Sequence, residues 1–368
     1  MNRPDRLPIL LFILINCLFV FKYTSRLTSG SLYITIAYAI IAVLALILLY
    51  RIPDKHYTKK LLWAFLILYI FAAIYILNIV KTETLNVDRW SVIASFWEAV
   101  FDGQFPYTAK SIHNNPPGPF PFYFLIALPF HLIGEIGLMT ILAIIGFSYL
   151  LFYRSKSFKP TIILILFTTT APALLWEIST RSTIFVNMAL VLFYLLWLEY
   201  TLDKKFWYQI FTGFVGGLLL STRGIVVIPL LAFFAFAYLR TKRWQALLTH
   251  GFGIIIGFTV TLLPFVIWDY QLFKIYNPII LQAGFLNLPL LIIFLIATII
   301  IGIKSRNTCL FYHNLAFTLF IVITAAFLKT ITQHGWNIAF HSSAFDISYY
   351  ILAVPFLVVS CLGMNKSS

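Results

Sequence analysis

Five polar side chains recur at steps of three and four: Asp88, Ser91, Ser95, Glu98 and Asp102. That spacing is one face of a helix. The opposite face carries Trp90, Ile93, Trp97, Val100 and Phe101. Carboxylates set in such a row can accept a proton from a hydroxyl or hold a polar substrate. A helix with one aromatic and one polar face lies flat at a membrane interface, ordinarily with Lys and Arg facing anionic lipid. This one is acidic apart from Arg89, so its polar face is expected to meet a cavity or another part of the protein. The plain structural alternative is an amphipathic helix that Asp88 merely caps. Gly103 and Pro106 stand where its stop signal belongs.

Two cations stand out against this acidity. Arg181 in "WEISTRST" and Arg223 in "LLLSTRGIV" each follow an apolar run. An ionisable residue at membrane depth is a functional candidate, and a guanidinium suits a phosphate. Equally, each can anchor the interface or pair with Glu177. Asp269, in "WDYQLFKIYNP", either binds an acceptor or marks the end of a span. His334 and Lys329 complete the set. His334 and His341 lie seven apart with Asp346 beyond, too loose for a metal site, and no metal ligand is assigned. Cys17, Cys309 and Cys361 are far apart inside apolar runs, which argues for neither a disulfide frame nor a metal.

These residues need a scaffold, and composition says which kind. The chain has 368 residues, 61% hydrophobic, 18% aromatic and 10% charged, with a mean hydropathy of +0.94. Several apolar runs exceed fifteen residues, so the expected fold is an all-α, polytopic transmembrane bundle forming a single domain over 1–368. Spans are expected near 7–21, 31–50, 61–80, 136–153, 161–176, 184–202, 210–221, 225–239, 247–268, 288–303, 310–328 and 349–363: about twelve, within a range of 11–13. The N-terminus resembles a signal peptide but lacks a small-residue cleavage site and reads as a retained first span.

The net charge of +14 invites a nucleic-acid partner, but its placement argues against one. Seventeen of the 26 Lys and Arg fall in short clusters between apolar runs: Arg3 and Arg6; Arg51, Lys55, Lys59 and Lys60; Arg154, Lys156 and Lys159; Lys204 and Lys205; Arg240, Lys242 and Arg243; Lys304 and Arg306; Lys366. That is the mark of cytoplasmic loops. Keeping every cluster inside requires that 119–133 not cross, and its Pro-rich start and Pro129 fit a surface or re-entrant segment. The first large outer loop is then 81–135, with juxtamembrane helices. Eight of the twelve acids map to the outer face: Glu83, Asp88, Glu98, Asp102, Glu135, Glu177, Asp269 and Asp346.

A span, an acidic residue, "AVFDGQFPY" ending at Tyr107, a Pro-Pro start after Asn115 and an aromatic run ending in Gly134-Glu135 follow one another in that order. The order resembles the C-type-fold membrane glycosyltransferases that use polyprenyl-phosphate sugars, such as mannosyl- and arabinosyltransferases. The resemblance covers 88–135. It implies that Asp88 is the catalytic base and that an acceptor hydroxyl on a glycan, lipid or protein attacks the anomeric carbon with inversion. Arg89, Glu98, Asp102, Tyr107 and Asn115 within that stretch, and Glu177, Arg181, Arg223, Asp269 and His334 beyond it, are the residues expected to surround the substrates. The resemblance names no certain cofactor and leaves a divalent cation open. It places the protein among membrane lipids, in a bacterial cytoplasmic membrane with the site facing outward. The alternatives are a transporter or flippase of lipid-linked sugars, and a surface-glycan polymerase or ligase.

Overall fold

The computed structural model describes residues 6–362 apart from 156, 203, 285 and 343. Arg3, Lys156 and Lys366, and the side chain of Arg6, were assigned to the basic clusters but lie outside that description. The described residues form helices and no strand. The α-helices are α1 (Arg6–Thr24), α2 (Ser31–Arg51), α3 (Lys59–Ile79), α4 (Arg89–Phe101), α5 (Pro121–Ile133), α6 (Gly137–Arg154), α7 (Phe158–Thr169), α8 (Pro172–Ser179) and α9 (Ile184–Glu199). They continue with α10 (Phe206–Leu220), α11 (Val227–Phe234), α12 (Trp244–Trp268), α13 (Tyr270–Ile275), α14 (Pro278–Ala283), α15 (Leu288–Lys304), α16 (Thr308–Trp336) and α17 (Val354–Cys361).

The protein has the long apolar helices of a multi-pass membrane protein. Six helices are long and apolar enough to cross, or eight if each of two bent pairs is one span. The figure of about twelve is therefore not reached on length and composition. The apolar stretches at α9, α10, 224–239 and 347–361 fall short of the roughly 20 residues a straight span needs. The expected span at 161–176 is broken into α7 and α8, which meet at 50°. The cause is local: Pro172 opens α8 and holds Ala171 extended, with ψ 136°.

Side-chain contacts sort the helix ends into two groups. At one end Lys159 pairs with Asp54, Arg154 with Glu199, and Arg240 donates to the carbonyls of Ser305 and Arg306. This is the basic end. At the other, Arg89 meets Asp346, Arg181 meets Glu135, and Gln282 donates to Gly118. This is the polar end. Both ends of α5 touch the same turn there: Tyr123 bonds Thr183, and Glu135, just past the helix, bonds Arg181.

α9 is the buried axis, with Phe185, Met188, Leu192 and Leu195 fully enclosed. α2, by contrast, leaves most of its apolar side chains exposed, as a helix against lipid does. α10 and α12 run parallel and touch backbone to backbone. A Cβ on Gly217 would lie 2.2 Å from the Ile254 carbonyl, and one on Gly253 would lie 2.3 Å from that of Ile210. Gly213/Gly217 and Gly253/Gly257 thus form a matched small-residue seam, the usual device for close helix approach in lipid.

Candidate functional site

α4 forms as its periodicity requires, and much of its apolar side packs inside the protein, while Phe101 stays exposed. Ile93, Phe96 and Trp97 are buried. The Phe96 ring stacks on Phe124 of α5, and Trp97 Nε1 donates to the Phe124 carbonyl at 3.0 Å. α4 and α5 therefore form one unit, with a small apolar core of its own at the polar end.

Asp88 stands at the N-terminus of α4 but its side chain makes no capping bond. Instead its Oδ2 accepts from Ser111 Oγ at 2.8 Å and from Asn115 Nδ2 at 2.7 Å. Both bonds fall on one oxygen, and among the described residues Oδ1 receives none. Ser91 Oγ also accepts the Ile112 N–H, so the 111–115 turn is pinned to the start of α4 at two points. The carboxylate is half-buried and Asn115 is exposed, which places the pair at a rim.

Arg89, one residue on, turns the opposite way. Its guanidinium pairs with Asp346, donates to Ser348 Oγ at 2.7 Å and stacks 5.4 Å from the Tyr349 ring centre. Burial alone raises the Asp346 carboxyl, but the charge and hydrogen bond of Arg89 outweigh it and hold the acid below the usual carboxylate range. Burial likewise works against the Arg89 cation and Asp346 more than compensates, so its pKa rises. This pair ties the start of α4 to the last polar-end loop.

Behind the rim is a buried polar layer. Glu177, at the end of α8, is fully buried and accepts from Ser182 Oγ and, at 2.9 Å, from the Phe185 N–H. Arg89 and Arg223 are the two cations close enough to act on its charge. Arg223 is nearly buried; its guanidinium lies 5.0 Å from the Tyr123 ring centre, and its Nε has no hydrogen-bond partner. The preceding residue, Thr222, accepts from Asn187 Nδ2, while Asn187 Oδ1 is itself unpartnered. Buried polar atoms left unpaired are rare and point to an absent partner. Here Arg223 Nε, Asn187 Oδ1, Arg89 Nε and Trp90 Nε1 are all of that kind.

Arg181 is different. Its Nε and Nη2 meet the Glu135 carboxylate at 3.3 and 3.2 Å, and Nη2 also reaches the Leu77 carbonyl at 2.7 Å. Nη1 donates to Val80 and Ser179 carbonyls. All five donors are engaged, two of them on carbonyls at the end of α3 and one on the carbonyl of Ser179 at the end of α8. In this conformation Arg181 is a helix-end clamp with no donor left for a substrate phosphate.

The remaining sequence candidates scatter. Tyr107 is buried and donates to the Pro119 carbonyl at 3.2 Å; burial pushes its phenol pKa up, so it remains a neutral donor. Asp269 caps α13 by accepting the Leu272 N–H. Glu98, Asp102 and His334 are exposed, and Asp102 terminates α4 rather than joining Asp88. Sequence reasoning left out Ser111, Tyr123, Thr183 and Asn187. Only Asn187 carried a signal, as the lone amide in the apolar run "IFVNMALVLF".

Among the described residues no three His, Cys, Asp or Glu side chains gather as a metal would require, and no step below runs through a metal ion. The larger described cavity, about 610 Å³, lies at the basic end, away from Asp88.

Fold and site thus define an all-helical, membrane-type chain with a half-buried carboxylate above a buried, arginine-containing polar layer. No protein family, no curated protein and no solved structure matches it.

Proposed function

We propose that the protein is an integral membrane glycosyltransferase. It moves a sugar from a polyprenyl-phosphate donor to an acceptor hydroxyl, on the extracytoplasmic face of a bacterial cytoplasmic membrane. The observation that carries this reading is Asp88. One carboxylate oxygen is fixed by Ser111 and Asn115 and the other is left open at a rim. A base so held can take the acceptor proton as the hydroxyl attacks the anomeric carbon. The leaving lipid phosphate needs donors, and Arg223, with its uncommitted Nε, is the guanidinium suited to it. The polar end faces outward in this reading because the basic clusters gather at the opposite end. In this reading the two bent pairs and the shorter apolar helices at α9, α10, 224–239 and 347–361 also cross, which would give about twelve passes.

The test is transfer of a radiolabelled sugar from polyprenyl phosphate to envelope glycolipid in membranes carrying the wild-type chain or Asp88→Asn. The variant should lose about 10²–10⁴-fold in rate while reaching the membrane in equal amount. Full transfer by Asp88→Asn removes the base and, with it, the enzyme. A transporter is the second reading. It is favoured by the broken α7–α8 span, which carries buried Glu177. Sugar entering sealed vesicles with no new glycosidic bond would establish it instead.

A further inference from the structure

One amide side chain bonds to the backbone on both sides of the site while standing on a third element. Gln282, on α14, donates from Nε2 to the Gly118 carbonyl at 2.7 Å. Its Oε1 accepts the Gly224 N–H at 3.2 Å. A carbonyl only accepts and an N–H only donates, so the two partners fix which way the amide points. The approach is close: a Cβ on Gly224 would lie 3.2 Å from the Gln282 Cβ.

Both anchor points adjoin residues of the site. Gly224 directly follows Arg223. Gly118 comes shortly after Asn115, whose Nδ2 holds the Asp88 carboxylate, and Pro116 and Pro117 fill the gap. Proline fixes φ, so this link transmits a displacement rather than absorbing it. Beyond Gly118 the chain is bonded to the same turn again. The Phe120 N–H meets the Thr222 carbonyl at 3.1 Å, and the Phe122 N–H meets that of Ser221 at 2.9 Å. α14 is itself held firmly. Asn277 caps it by accepting the Ile279 N–H, and Phe273 of α13 is buried in the apolar core that α4 and α5 share. Ile279, Ile280 and Leu281 on α14 are exposed, whereas Gln282 carries contact to the site.

We infer that Gln282 is a positioning residue for sugar transfer, fixing the Asp88 carboxylate relative to the Arg223 guanidinium, an inference that rests on the transfer reading above. In an inverting displacement the base and the cation that receives the phosphate work on opposite sides of the anomeric carbon. Their separation must therefore match the substrate pair, and small misplacements slow the reaction steeply. Gln282 acts through two backbone segments and not on the reacting atoms. Its loss lets those segments shift, which slows the chemical step while the groups that bind the substrates stay in place.

The experiment measures kcat and KM for sugar transfer, per folded molecule, in membranes carrying the wild-type chain, Gln282→Met, Gln282→Asn, Ile280→Ala or Asp88→Asn. Gln282→Met fills a similar volume without either bond, and Gln282→Asn keeps the amide but is too short to span both partners. Each should lower kcat about 10–10²-fold and leave KM for donor and acceptor nearly unchanged. Ile280→Ala, on the same helix, should transfer as the wild type does. Hydrogen exchange at 222–226 of the purified full chain should quicken in Gln282→Met and not in Ile280→Ala. Wild-type kcat in both Gln282 variants, a rise in KM alone, an equal loss in Ile280→Ala or unchanged exchange would each overturn the inference. Where the wild type transfers sugar and Asp88→Asn does not, such a result removes Gln282 alone. Where the wild type makes no glycosidic bond, the enzyme reading falls and takes this role with it.

Discussion

The tripeptide Ser-Thr-Arg occurs twice at the polar end, at 179–181 after α8 and at 221–223 after α10. The two copies have opposite fates. Arg181 sits at φ 52° and turns back, clamping the carbonyls at the end of α3 and the Glu135 carboxylate. Arg223 is extended, at φ −150°, and runs over the Tyr123 ring with its Nε unpaired. The same local sequence therefore makes a structural clamp in one place and an open cation in the other. The acceptors in reach decide: Glu135 and the frayed end of α3 for one, an aromatic face for the other.

The same substitution at both positions sharpens this contrast. Arg181→Met should be the most damaging change, because it leaves the half-buried Glu135 and the last carbonyls of α3 without their partner. A loss of about 1–3 kcal/mol is expected, read as a drop in unfolding temperature and in membrane yield. Arg223→Met keeps the aliphatic stem and removes a buried charge that makes no side-chain hydrogen bond or ion pair among the described residues. Stability should be unchanged or higher, while sugar transfer falls about 10²–10³-fold. Equal destabilisation by the two would erase the distinction. Tyr123→Phe removes only the hydroxyl bond to Thr183 and keeps the ring under Arg223. It should cost about 1 kcal/mol and leave transfer intact; a full loss of transfer would mean that the hydroxyl, not the ring, matters.

The smallest effect concerns pH. The Asp346 carboxyl is held below its ordinary range, so its pairing with Arg89 stabilises the fold fully above the unfolded value of about 3.9. That contribution is lost as pH falls through the lower, folded value. Hydrogen exchange at 346–348 should stay slow down to about pH 4 and quicken below it. Quickening above that range would show that Arg89 does not hold the acid.

The 3.6-residue period of 86–107 placed α4 within a residue of its observed limits, while the expected span at 161–176 is broken in two and that at 349–363 begins as a 3-10 turn. What the sequence left open was the partner of each side chain. Asp88 by pattern alone read first as a cap and only second as a functional group, because the choice depends on Ser111 and Asn115, more than twenty residues on. Arg181 and Arg223 looked alike because the tripeptide is alike. The α7–α8 break could have been suspected from Pro172, since a proline constrains its neighbour locally.

Composition and periodicity by themselves determined that this chain is helical, apolar along its helices and basic at one set of turns. Those properties depend on neighbours three or four residues apart and on the cost of exposing polar backbone to hydrocarbon. The tertiary structure alone decided which carboxylate keeps an open oxygen, which arginine keeps a free donor and which helices lie parallel. Each of those outcomes is a competition among groups far apart in sequence, and only the packed chain fixes which of them meet.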